Sequence, residues 1–437
     1  MRRRVRRKVS KDWLPRLAAV EWIRSDVPIV TRIMLMCGSL EPGRDGVGDY
    51  CRRLASEMVT LGVDSLVLGF NDHAAAKETN EAPHPSIRVV RLPAKTALSK
   101  RAARAASLLT DWEPEWISLQ FVSYAFNRMG LPIAELYWLP RLLRGRRLHV
   151  MLHELWVGLG VMKSPKNAIL GSLQKWVLML LLNRLRPTVL HTSNDYYRMT
   201  LRSHGVDAMM LPLFSNIPVT TESAESWLAD AVRNIGGPDI SRHREGFWLL
   251  GLFGSIPAGW PSDRLLARLS AVARASGRRA VVISAGETGS ALPSLLQAWR
   301  TKHPDIDFVA IGPRSVLEIS QFLNSIDFGI TPHPIYLLGK SGSVAAMLEH
   351  GVPIIVTWGN IAPELSAVSS EFEPLIWPDD EKLSERLRGM VRRHHRPDWS
   401  SVVAQRLISS LSASDPARRM SSPRGVVAVG GQHGQRA

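Results

Sequence analysis

Five short stretches place backbone amides, hydroxyls or charge where an apolar, strand-like run ends. Residues 339–343 read Gly339-Lys340-Ser341-Gly342-Ser343 and lead into a helical stretch. The first amides of a helix lack intrahelical partners and carry partial positive charge, so this stretch with its lysine suits a phosphate group. Gly46-Val47-Gly48-Asp49 leads into a second helical stretch and allows close backbone approach to an anion. His153-Glu154 closes the apolar run 148–152, and Gly254-Ser255 and Gly286-Glu287-Thr288 each come after a further run. On residue types alone His153 suits a packed, hydrogen-bonded role as well as a catalytic one, Lys340 suits a solvated loop, and the paired glycines suit a plain turn.

Two better-known phosphate motifs do not fit. A dinucleotide fingerprint needs a third glycine after Gly46-x-Gly48, where the sequence has Cys51, and no acidic residue closes the second strand cleanly before Asp72. A Walker A loop needs glycine five residues before Gly339, where the sequence has Pro334. Only Cys37 and Cys51 occur, too few for a disulfide framework or a cysteine-rich zinc site, and a reducing, cytoplasmic setting is expected. No carboxylate cluster suggests a metal, and no metal site is expected.

The formal charge is +16, but seven cations lie in residues 1–11 and four arginines face one aspartate in residues 412–437, which leaves +6 for residues 12–411. A body so lightly charged is not that of a dedicated nucleic-acid binder, and no specific nucleic-acid partner is expected. The basic start fits either a solvated tail or contact with anionic lipid headgroups. No apolar core adjoins it, because Asp12, Arg16, Glu21, Arg24 and Asp26 break up residues 12–26, so a signal peptide is not expected. The strongest apolar run, residues 176–182, is far short of the roughly 20 residues needed to span a bilayer. It fits a core helix or one lying at the headgroup level, flanked by Lys175, Arg184 and Arg186.

The elements that must position these residues alternate. Strands are predicted at 30–36, 65–70, 87–92, 116–122, 148–152 and 188–191, with helices at 49–61, 100–109, 133–143, 167–185 and 195–204. A second series runs 247–253, 280–284, 308–311 and 328–331 as strands, with helices at 262–275, 291–302 and 316–325. Such alternation implies parallel sheets covered on both faces. The predicted class is α/β, with two doubly wound Rossmann-like domains facing across a cleft. Residues 1–26 form a basic segment, 27–218 the first domain, 219–245 a linker, 246–379 the second domain, 380–411 terminal helices and 412–437 a disordered tail. Ligands of such sheets sit outside the carboxyl ends of the strands, where all five stretches fall.

Residues 326–356, in the order strand, Gly-Lys-Ser loop, helix, Gly351-Val352-Pro353 turn and buried strand, resemble the donor-sugar half of GT-B glycosyltransferases of the family 4-like group. Gly46-Val47-Gly48-Asp49-Tyr50 is similar to that family's first loop, which faces acceptor and donor phosphate. The resemblance implies transfer of a sugar from a nucleotide-sugar donor to a glycan or lipid-linked acceptor in cell-surface polysaccharide synthesis. It implies no cofactor beyond the donor, and a cytoplasmic enzyme with peripheral contact at an anionic membrane face. It places His153 at the family's active-site histidine, with Glu154 beside it. Gly46, Gly48, Asp49, Glu154, Gly254, Ser255, Gly286, Glu287, Ser341, Gly342 and Ser343 become donor-binding candidates, with His153 and Lys340 the catalytic ones. The chain departs from the pattern twice. The family's arginine and lysine are missing from the loops at 254 and 286, and its glutamate pair is replaced by Leu338 and Ala346. Two other functions share the architecture: nucleotide-sugar epimerisation, for which Glu154, Asp49 and Glu287 are the candidate carboxylates, and a catalytically silent partner protein.

Overall fold

The computed structural model describes residues 30–159, 165–222, 225–257, 259–357, 359, 365–389 and 394–414. The expected basic segment 1–26 lies outside them, as does the expected tail beyond residue 414. The first sheet has eight strands: β1 (Arg32–Cys37), β2 (Asp64–Asp72), β3 (Thr79–His84), β4 (Ile87–Pro93), β5 (Trp116–Phe121), β6 (Leu148–Leu152), β7 (Val189–Thr192) and β8 (Met209–Met210), in the order β3-β4-β2-β1-β5-β6-β7-β8. The second has six: β9 (Phe247–Phe253), β10 (Arg279–Ala285), β11 (Ile306–Gly312), β12 (Phe328–Thr331), β13 (Ile354–Val356) and β14 (Ile376–Pro378), in the order β11-β10-β9-β12-β13-β14. Every pairing is parallel except β3 with β4. Two doubly wound Rossmann-like sheets are thus present, as the alternation predicts.

The burial pattern explains why the strands read as they do. β1 past Arg32, and all of β5 and β6, are buried on both faces, as strands between two helical layers must be. β3 is the opposite case, exposed from Asn80 to His84 with Glu81 and Pro83 in it. That is how an edge avoids pairing with other chains. Among the described residues no helix is long and apolar enough to cross a membrane.

The final helix, Trp399–Ala413, comes after the second sheet in sequence but packs on the first lobe. It buries Val403, Ala404, Leu407 and Leu411 against the helix Gly46–Thr60. Three polar contacts fix it there. Trp399 Nε1 donates to Leu213 O at 3.1 Å, Ser400 Oγ to Glu57 Oε1 at 2.6 Å, and Arg53 Nη2 to Ser400 Oγ at 3.1 Å. The helix runs through Ala413, past residue 412 where the sequence suggests a tail.

Candidate active site

The carboxyl ends of the two sheets face one another across a cleft of about 430 Å³, within the range of small-molecule sites. Gly46, His153 and Glu154 line it from the first lobe, and Lys340 and Gly342 from the second. The structure therefore brings both catalytic candidates and three binding candidates to one crevice.

Lys340 Nζ donates to Glu154 Oε1 at 2.9 Å, so the two candidates are each other's partners across the cleft. Lys340 ends a short 3-10 turn, Ile335–Lys340, ahead of the helix Gly342–Glu349. Gly339 is glycine for a reason other than phosphate. A Cβ there would lie 2.9 Å from Asn194 Cβ and 3.1 Å from Ser193 O, so the loop is clamped against the first lobe. Ser341 is the cap of the helix after it, its Oγ accepting from Val344 N at 3.3 Å and lying 3.0 Å from Ser343 Oγ. With Ser341 so occupied, the exposed Gly342 and half-buried Ser343 at the helix start are the part of this stretch open to a ligand.

The first loop divides in the same way. Gly46 has open space around it, whereas a Cβ on Gly48 would meet Ser39 O at 2.5 Å; Gly48 is there to let the helix lie on the preceding turn. Asp49 accepts from Gly43 N at 3.0 and 3.2 Å and so braces the loop from within. Neither Gly48 nor Asp49 lines the cleft. The carboxylate that does is Asp45, the helix cap, which accepts from Gly48 N at 2.7 Å. Burial holds its carboxyl above the ordinary aspartate range, although the Gly48 and Val47 amides work the other way.

The second-lobe loops at 254 and 286 are zipped together, Ile256 N donating to Thr288 O at 3.1 Å. Gly254, at φ +91°, places its missing Cβ 3.2 Å from Ser343, so this loop buttresses the helix start. Ser255, Gly286 and the exposed Glu287 sit farther back and do not line the cleft. Leu338 and Ala346, at the positions of the family's glutamates, are fully buried in the core.

His153 is buried and ends a polar chain through the first sheet. Its Nε2 lies 2.8 Å from Gln120 Oε1, Gln120 Nε2 donates to Ser118 Oγ at 2.7 Å, Ser118 Oγ lies 2.7 Å from His149 Nδ1, and His149 Nε2 lies 3.0 Å from His191 Nδ1. Because the Gln120 oxygen accepts, the network assigns the hydrogen to His153 Nε2 and leaves Nδ1 with its lone pair. Burial pushes the His153 ring down to about 3 and His191 to about 4, and burial beside the other two histidines holds His149 well below its ordinary value, so all three are neutral near pH 7. A neutral ring of this kind can accept a hydrogen bond at Nδ1 but has no acidic proton to give near pH 7.

Four residues outside the sequence-based site candidates also lie at or beside the cleft. Asp45 had a legible signal, an aspartate at a helix start. Tyr50 lines the cleft, lies edge-on to His153 at 5.0 Å, stacks on Phe214 at 4.2 Å, and buries a hydroxyl with no hydrogen-bond partner among the described residues. Asn216 reaches from the inter-sheet segment to Gly46 O at 2.8 Å. His333, after β12, is held down to about 4 by burial first and by Lys340 second. Tyr50 closes the stretch that resembles the family's first loop, whereas nothing local in the sequence marks Asn216 or His333. Among the described residues no group of three or more histidines, cysteines and carboxylates is arranged to hold a metal ion.

No protein-family model matches the chain, and no curated protein matches its sequence. Among solved structures, it is similar to α,α-trehalose-6-phosphate synthase from Burkholderia multivorans, with a TM-score of 0.51, 11% identity, and coverage of 93% of this chain and 100% of that one. It is also similar to Anabaena HepE in complex with UDP and glucose, with a TM-score of 0.50, 13% identity, and coverage of 90% of this chain and 99% of the other. With two parallel sheets facing across a cleft and this likeness over nearly the whole chain, the protein has the GT-B fold.

Proposed function

We propose that the protein is a glycosyltransferase that moves a sugar from a nucleotide-sugar donor to a glycan or lipid-linked acceptor. The observation that carries this reading is the meeting, in one cleft, of a lysine and an open helix start from one lobe with Gly46, His153 and Glu154 from the other. In the transfer, the bond between the anomeric carbon and the phosphate oxygen breaks and a bond from an acceptor hydroxyl oxygen to that carbon forms. The nucleoside diphosphate leaves with the electron pair, and the hydroxyl proton passes to a base or to solvent. Lys340 and the Gly342 and Ser343 amides stabilise the charge growing on the leaving group, the kind of preorganised electrostatics that lowers such barriers most. Neutral His153 offers a hydrogen-bond acceptor to a sugar hydroxyl, with Tyr50 packed against its edge.

The bound UDP and glucose of HepE make a uridine-diphosphate hexose the first donor to try. The test is a thermal-stabilisation screen of nucleotides and nucleotide-sugars, since a ligand of the native state raises its apparent stability by mass action. Turnover is then measured with acceptor mixtures. Release of free nucleotide that depends on acceptor supports transfer, and a donor that stabilises but is never consumed refutes it. One observation favours a second reading: Asp45 and Glu154 are two carboxylates in the same cleft, which acid–base chemistry such as epimerisation requires. Interconversion of the nucleotide-sugar without acceptor would identify that reaction.

A further inference from the structure

The helix Pro165–Leu185 is apolar on more than one side. Gly171, Val177, Leu178, Leu181 and Leu182 are in the core, yet Ile169, Leu173 and Trp176, spaced i, i+4 and i+7 along another face, are 68%, 49% and 61% exposed. Next to them, Met129 and Ile133 are 60% and 61% exposed. The two segments form one surface. Gln174 Nε2 donates to Tyr124 Oη at 2.9 Å and to Met129 O at 2.8 Å, and Arg184 Nη1 donates to Leu136 O at 3.1 Å. Contiguous apolar exposure of this kind marks an interaction site.

The charge around it is one-sided. Residues 123–147 and 165–187 hold nine lysines and arginines and a single carboxylate, Glu135, which is buried. Arg144, Arg146, Arg184 and Arg186 converge on one shallow cleft at the end of the helix, and none of them makes an ion pair among the described residues. These two segments therefore carry a net charge of +8, more than the +6 of residues 12–411 as a whole. We infer that the face of Pro165–Leu185 together with residues 124–146 docks on an anionic lipid bilayer, with Ile169, Leu173 and Trp176 entering the headgroup boundary and the arginines on lipid phosphates. A second copy of this chain is the poorer fit, because a two-fold contact through this face would set cations against cations.

The surface also leads to the site. Tyr124, at one end of the apolar stripe, lines the cleft with His153 and Lys340. An acceptor headgroup held in the bilayer would thus enter past Tyr124, a consequence that rests on the sugar-transfer reading; the docking itself does not.

The test is co-sedimentation of the full-length protein with phosphatidylcholine vesicles, with and without phosphatidylglycerol. Binding is expected only with phosphatidylglycerol, and it should weaken as salt rises. Leu173→Asp/Trp176→Asp and, separately, Arg144→Glu/Arg146→Glu should each lower the bound fraction at least tenfold, while melting temperature and nucleotide-sugar stabilisation stay as in the wild type. Deleting residues 1–26 reports how much the basic start contributes. The inference is overturned if the wild type ignores anionic vesicles, if both face variants bind as the wild type does and only the deletion releases the protein, or if the wild type is a dimer that the face variants dissociate. Since vesicle binding involves no turnover, it fails or succeeds independently of catalysis.

Discussion

Lys340 is where the electrostatic reading is most exposed to test. Its ammonium sits 2.9 Å from Glu154 Oε1, with side chains 23% and 42% accessible. A pair that open to solvent contributes about 0.5–1 kcal/mol. A donor diphosphate must draw Lys340 from that partner. At about 4 Å and an effective dielectric near 20, one cation–anion pair gains roughly 4 kcal/mol, from which desolvation and the broken ion pair subtract. A net loss of at least about 1.4 kcal/mol, or tenfold in donor affinity or turnover, is expected for Lys340→Met. Glu154→Gln should do the reverse, tightening donor binding about two- to fivefold by removing the competing carboxylate. The double variant should resemble Lys340→Met, because the two residues share one interaction. Titration calorimetry with the donor found by stabilisation screening measures all four proteins. Wild-type affinity in Lys340→Met would remove the lysine from the mechanism. A loss in Glu154→Gln as large as that in Lys340→Met would show that Glu154 holds the donor itself and is no counter-ion.

Gly48→Ala should destabilise the fold by about 1–3 kcal/mol in urea unfolding, since its Cβ would meet Ser39 O at 2.5 Å, while Gly46→Ala should stay within about 0.5 kcal/mol. Because the folded His153 ring is held near 3, the unfolded chain binds the extra proton between about pH 6.5 and 3. Stability should therefore fall as pH drops through that window, and less steeply in His153→Gln. Glu349 behaves oppositely. Buried, 2.5 Å from Ser215 N and 3.9 Å from Arg53, it is pushed up to about 8, so its contribution is complete below about pH 4.5 and is lost as pH rises through 8; Glu349→Gln should flatten that decline. Gln120→Glu would put a carboxylate against His153 and raise the ring's affinity for a proton. A new titration in the pH–rate profile, absent from the wild type and with little change in donor affinity, would show that Gln120 positions the histidine.

Much of the fold could be read because strands buried on both faces are continuous apolar runs, as in β1, β6 and β9. β3 escaped because an edge strand made of Thr79, Asn80, Glu81 and Pro83 has no apolar period, and β8 and β14 because two or three residues are too few to show one. The helix start at Gly46 was read three residues late, at Asp49, since glycines argue against a helix unless the Asp45 cap is noticed. At the site, residue types located the strand-end loops and the Lys340 stretch. They could not separate glycines needed for packing, Gly48 and Gly339, from one facing the cleft, Gly46, because both kinds satisfy the same local demand. The Lys340–Glu154 contact spans 186 residues and exists only once the lobes are assembled, so no local pattern encodes it.

The placement of Trp399–Ala413 has a mechanical result. The backbone crosses from lobe to lobe once near Ser215 and returns before Trp399, and both crossings are tethered, by Arg53 to the Ser215 carbonyl and by the Trp399 indole to Leu213. Two anchored crossings, with Gly339 lodged against Ser193 and Asn194, hold the second lobe's Lys340 within reach of Glu154 on the first.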